Sequence, residues 1–192
     1  CALPISLAIN DDYRASLKLF IKEEGRHARI LAGLLRAAGS DVLKGSASSS
    51  AFTIARGLIG VRFKLVVLLA AEVVASEAYP VLVHGTSDPR TRLLLAQLAD
   101  DEAHHMRFHQ AFFTAALSGV KRFLFPPLFL AIVLVAALLC GLEHRRAFRE
   151  CGVRAREVAW SMLRRGWVVL LAVNTRKPIA GDRSLLELST VE

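Results

Sequence analysis

With 192 residues, 54% of them hydrophobic, and a mean hydropathy of +0.42, the chain has enough apolar mass for one domain around a real core. Gly and Pro are sparse and gather between apolar periodic runs, which disfavours a sandwich or barrel and points to an all-α protein. The net charge of +8 is spread along the chain and dense only at Arg145–Arg146 and Arg164–Arg165; with no basic stripe interleaved with aromatics, nucleic acid is not the expected partner.

The first helix is predicted to start at Asp11 or Asp12 as N-cap and to stop at Gly39. Its apolar stripe is Leu17, Phe20, Ile21, Ile30, Leu31, Leu34 and Leu35. Residues 40–57 are Gly/Ser-rich and read as a long connection. A second helix is expected from about Leu58 to His84, kinked near Pro80. Asp88 then caps a third helix that has Pro89 at its first position and runs to about Ser118, closed by Gly119. An uncharged run from Phe123 to Leu142 follows, with Pro126 and Pro127 near its start. A last amphipathic helix spans about Arg154–Val173. From Asn174 on there is no period, and residues 174–192 read as a disordered tail.

The chemistry lies in polar residues that interrupt these apolar stripes. Glu24 and His27 fall on the buried face of the first helix, an i, i+3 pair pointing one way. On the third helix the inward register is Thr91, Leu95, Leu98, Glu102, His105, His109 and Phe112, which gives a second Glu-x-x-His with His109 one turn further on. Glu72 sits in a segment that is apolar on all sides. At roughly 1.5 Å per residue, Glu72 and Glu102 lie at about the same height, some 19 Å from the Gly85–Pro89 turn. A buried carboxylate costs several kcal/mol unless it is paired, protonated or bound to metal. Three of them close together call for a divalent cation, and carboxylate plus imidazole suits Fe, Mn or Zn. Asp101 and His104 are rotated about 100° off the stripe and read as rim or as residues supporting the ligands from behind. Glu23 and Glu77 read as solvated, Glu143 and His144 as a polar helix end, and Tyr79 as core.

These segments resemble the diiron-carboxylate branch of the ferritin-like superfamily over roughly residues 12–118. In that family two helices each supply a Glu and two others each supply Glu-x-x-His. Lys22-Glu23-Glu24-Gly25-Arg26-His27 looks like the family's second helix, Glu72 fits its third, and Ala99-Asp100-Asp101-Glu102-Ala103-His104-His105 its fourth. The resemblance implies a four-helix bundle over residues 1–120, with C-terminal helices over 121–173 packed on it. It also implies a centre of two Fe ions, Mn or Zn fitting the same donors, held by Glu24, His27, Glu72, Glu102 and His105. The first family helix and its Glu have no counterpart here, so the gene product is expected to be longer or the centre to lack one ligand. His109 is the substitute at hand. The chain opens on Cys1 rather than Met, consistent with a missing upstream segment.

The chemistry so implied is oxidoreductase-type work on O2 or peroxide, with iron or a small molecule as substrate, in a monomer or a homodimer. The three cysteines form no CxxC, which argues against a disulfide framework or zinc site and for a reducing, cytoplasmic setting. The alternative is a membrane-associated helical protein whose metal site is structural or vestigial. Phe123–Leu142 has the length of a transmembrane candidate, flanked by Lys121-Arg122 and Arg145-Arg146. Its two prolines would leave about 15 residues of clean helix, roughly 22 Å against a core of about 30 Å, so an apolar helix lying on the bundle is preferred.

Overall fold

The computed structural model describes residues 11–40, 50, 53–54 and 61–175. Its elements are α1 (Asp11–Ala37), α2 (Val61–Gly85), α3 (Pro89–Ala116), α4 (Val120–Glu143), the short α5 (Arg145–Glu150) and α6 (Ala155–Thr175). This is an all-α bundle. Helix ends follow local chemistry. Gly39 adopts φ +71°, and the Gly39 and Ser40 amides donate back to the carbonyls of Arg36 and Leu35, the left-handed stop that glycine takes without Cβ strain. Asp88 accepts from the Thr91 amide at 2.8 Å and its hydroxyl at 2.6 Å, with Pro89 just inside the helix. The expected starts of α2 before Val61 and of the tail after Thr175 lie outside the described residues.

α2, α3, α4 and α6 share one core. Leu69 and Val73 from α2, Met106 and Phe113 from α3, Phe129 and Val133 from α4, and Val169 and Leu170 from α6 meet in it. Gly166 lets α6 approach α4 closely: a Cβ there would stand 3.0 Å from Val133 Cγ1. A second cluster, Ala137, Cys140, Phe148, Val158 and Met162, extends the core past α5. α1 lies against α3 and buries Phe20 among Phe108, His105 and His109. Ile21, placed on the buried stripe by sequence, is instead exposed, because only one side of α1 is covered.

Two further expectations change. Glu77 is not solvated: Arg165 donates to its Oε1 at 2.8 Å, and both side chains are largely buried between α2 and α6. The prolines do not shorten the apolar helix. α4 runs unbroken for 24 residues, about 36 Å, through Pro126 and Pro127. They fall early in the helix, where the carbonyls that lose a donor are those of Arg122 and Phe123. Phe123 and Pro127 are both exposed, so water reaches that part of the backbone. By length and composition, Phe63–Gly85 and Val120–Glu143 are each apolar enough to cross a membrane. α2 packs against α3, α4, α5 and α6.

Candidate metal centre

α1, α2 and α3 bring Glu24, His27, Glu72, Glu102 and His105 together. One donor atom from each of Glu24, His27, Glu102 and His105 lies within 4.8 Å of the others. Glu72 joins from the second helix: its Oε2 is 3.4 Å from His105 Nδ1. The same nitrogen stands 3.1 Å from Glu24 Oε1 and 3.3 Å from Glu102 Oε2. His27 Nδ1 faces Glu24 Oε1 and Glu102 Oε1, each at 3.4 Å. The heights deduced from helix rise therefore agree, and the carboxylates converge. Of these side chains only Glu24 is substantially exposed, and even its Oε1 is buried.

Both histidines are held from behind. His27 Nε2 lies 3.0 Å from Asp101 Oδ2, and Arg26 donates to that same oxygen. His105 Nε2 lies 3.2 Å from Glu23 Oε2. In a neutral imidazole the nitrogen beside a carboxylate carries the proton, which leaves the other nitrogen with a lone pair. In His27 that lone pair points at two carboxylate oxygens. Lone pair facing anion is repulsive unless a cation or a proton sits between them. Consistent with this, Glu24 Oε1, His27 Nδ1 and Glu72 Oε2 are buried without a hydrogen-bond partner among the described residues. Such orphaned atoms are rare in native interiors.

Electrostatics point the same way. Burial pushes the Glu72 carboxyl well above its ordinary range, and the nearby Glu102 and Glu24 charges add to this, against the opposing pull of His105 at 3.4 Å. Burial opposes charge on His105, yet its bonds to Glu102, Glu24 and Glu72 win and raise it to about 12. Burial would also raise Glu102, but hydrogen bonds with His105 and Glu72 hold it below its usual value. Tyr79 is raised first by burial, then by the Glu102, Glu24 and Glu72 charges, so its phenol keeps its proton. Protons thus do in this cluster what a divalent cation would do better.

His109 stands apart from the four-residue group. It is fully buried beside Phe20 and Phe108, and neither ring nitrogen has a hydrogen-bond partner among the described residues. Burial first, then the charge of His105, lowers it to about 4, so it is a neutral imidazole. His104 points away and is bonded to the Asp100 carbonyl at 2.9 Å. The sequence placed Asp101 at the rim or behind the ligands and Glu23 in solvent; in the structure each backs a histidine. The missed signal is positional. Arg26 and Asp101 each immediately precede an inward residue, so they occupy the shoulders where α1 and α3 meet. Removing such a partner typically costs ten- to a hundredfold in metal affinity. Asp101→Asn is expected to weaken Zn(II) binding by about that factor with the fold intact, as read by chelator competition.

No family model, curated protein or solved structure matches the chain.

Proposed function

We propose that the chain is a ferritin-like carboxylate protein with a dinuclear, iron-type centre and oxidoreductase chemistry. What supports this is the convergence of Glu24, Glu72 and Glu102 on two histidines whose Nδ1 atoms face inward. The donor set fits: Glu24, Glu72, Glu102, His27 and His105 would hold the ions, and carboxylate plus imidazole suits Fe or Mn and tolerates Zn. When bound, such a pair of ions supplies electrons and Lewis acidity for reducing O2 or peroxide. The chain's own residues do the rest. Asp101 and Glu23 fix the ring orientations, Glu24, Glu72 and Glu102 neutralise the ions' charge, and the apolar helices exclude water. His109 lies one turn from His105 on the same helix face, outside the group whose donor atoms converge. Anaerobic titration of the purified protein with Fe(II) is expected to end near two ions per chain. Admission of O2 should then produce an absorption change that Glu102→Ala abolishes. Iron below one ion per chain would remove the reading.

An apolar surface favours a second reading, a membrane-associated protein whose metal site is structural. Leu124, Leu128, Val135, Leu138 and Leu142 form an exposed stripe along α4, and Phe123 is 80% exposed. Trp160 and Trp167 lie open on α6, which packs beside α4. Trp side chains suit the headgroup region, and Lys121 at one end of α4 and Arg145 and Arg146 at the other suit anionic lipid. The protein is expected to float with phosphatidylglycerol vesicles at low salt and to stay behind with phosphatidylcholine alone. Equal recovery in both pellets would remove this reading. Membrane attachment and metal chemistry are compatible.

A further inference from the structure

A cavity of about 740 Å3 runs between α2, α4 and α5. Its wall is almost wholly apolar, much of it alanine: Ala71, Ala75 and Ala78 from α2, Ala131 and Ala136 from α4. Cys140 adds a thiol that burial keeps protonated, and the exposed His144 stands at the mouth. The shape is informative. The lining on α2 extends from Phe63 to Leu82, which at about 1.5 Å per residue is some 28 Å. Spread over about 28 Å, the space is several times longer than it is wide, a shape that suits an extended hydrocarbon chain rather than a fused ring system.

The wall passes near the metal cluster, although no residue of the cluster lines it. Ala71 and Ala75 flank Glu72 in sequence. On α1, the lining residue Leu31 follows His27 by one turn on the same face. Tyr79 is a lining residue two turns beyond Glu72 on α2, within electrostatic reach of Glu102, Glu24 and Glu72. Its hydroxyl makes no hydrogen bond among the described residues. At the other side, Ala131 and Val135 belong both to the lining and to the exposed face of α4, so the mouth opens on an apolar surface.

We propose that this cavity binds a single lipid-like chain whose one polar group hydrogen-bonds to Tyr79, and that it holds the chain alongside the Glu24–His27–Glu72–Glu102–His105 cluster. The binding claim follows from the cavity alone; that the chain is the substrate class rests on the metal-centre reading above. A pocket of this size that is apolar apart from a few placed polar groups is the common form of a ligand site.

The test uses the full chain and cis-parinaric acid, whose fluorescence rises on entering an apolar cavity. One probe per chain is expected, displaced by hexadecanol. Ala75→Phe and Ala136→Phe, which fill the cavity from two different helices, should each weaken probe binding at least tenfold with unchanged helicity and melting. Tyr79→Phe should weaken competition by hexadecanol several-fold and leave competition by hexadecane unchanged, a split that a merely structural role would not produce. Absence of probe uptake by a folded protein would overturn the proposal, and so would uptake insensitive to both filling variants. A wild-type dimer that takes no probe and dissociates on Ala75→Phe would assign the groove to a second copy instead. Probe binding by a chain that takes no metal would overturn the reading of the cluster and uphold the lipid site; metal binding without probe would do the reverse.

Discussion

Glu72→Leu is expected to make the metal-free protein more stable and to remove the stabilisation that bound metal gives. Glu72 lies 3% exposed in the middle of α2, surrounded by the residues that build the main core. Without metal its carboxyl is desolvated, held up in pKa, and left with an unpartnered oxygen. Replacing a buried ionisable group by an apolar one of similar volume is often neutral or stabilising by about 1–4 kcal/mol. For a chain of this size that is a rise in melting temperature of roughly 2–16 °C. With metal the sign reverses. A ligand at a thousand times its Kd stabilises the fold by about 4 kcal/mol, or roughly 8–16 °C, and the leucine variant loses that increment. The measurement is calorimetric melting of both proteins with and without Mn(II) or Zn(II). A leucine variant that melts lower without metal, or that keeps the full metal increment, would show that Glu72 serves the fold rather than an ion. Sites that cost stability for the sake of function carry this signature.

The same cost made Glu72 legible in the sequence. A carboxylate inside Leu68-Leu69-Ala70-Ala71 and Val73-Val74-Ala75 has no cheap explanation, and the two Glu-x-x-His pairs stood out against their stripes for the same reason. Helical period says which face a residue occupies and fixes height along a shared turn, which is why Glu72 and Glu102 met as expected. It does not say what neighbouring helix covers a shoulder. Glu23 was therefore placed in solvent though it backs His105, and Asp101 was placed no more closely than at the rim or behind the ligands, where it backs His27. The Glu77–Arg165 pair, 88 residues apart, was invisible to any local rule. Pro126 and Pro127 were read as helix breakers from intrinsic preference alone, which tertiary context overrode. The cavity was hidden for another reason. Alanines at helical spacing look like close helix packing, and only the arrangement of α2 against α4 shows that they leave space.

The gap in melting temperature between metal-loaded and metal-free protein is expected to widen as pH rises from 6.5 to 8.5. In the metal-free fold His105 is raised from 6.5 to about 12. A raised histidine contributes stability that is complete below 6.5 and is lost as pH climbs toward the folded value, because the unfolded chain no longer holds that proton. Glu72 acts in the same direction: folding keeps a proton that the unfolded carboxyl gives up above about 4.5, so each step upward in pH favours unfolding. The two are neighbours and titrate together, so the cluster is best counted as holding at least one proton more than the unfolded chain. One proton of difference is worth about 1.4 kcal/mol per pH unit, roughly 3–6 °C at this chain length. His109 works on the other flank. Burial lowers it to about 4, so stability is lost as pH falls below 6.5 and the unfolded imidazole takes a proton the fold refuses. Metal-free protein should therefore lose melting temperature as pH rises above 6.5, whereas between about 4.5 and 6.5 the contributions of His109 and Glu72 oppose each other. A bound ion displaces the cluster's protons and flattens the alkaline flank while leaving the acid flank in place. Zn(II) titration at pH 7.5 in weak buffer should release at least one proton per chain to an indicator dye. Parallel melting curves across this range with no proton released would mean that no ion takes the protons' place between Glu24, Glu72, Glu102 and the two histidines.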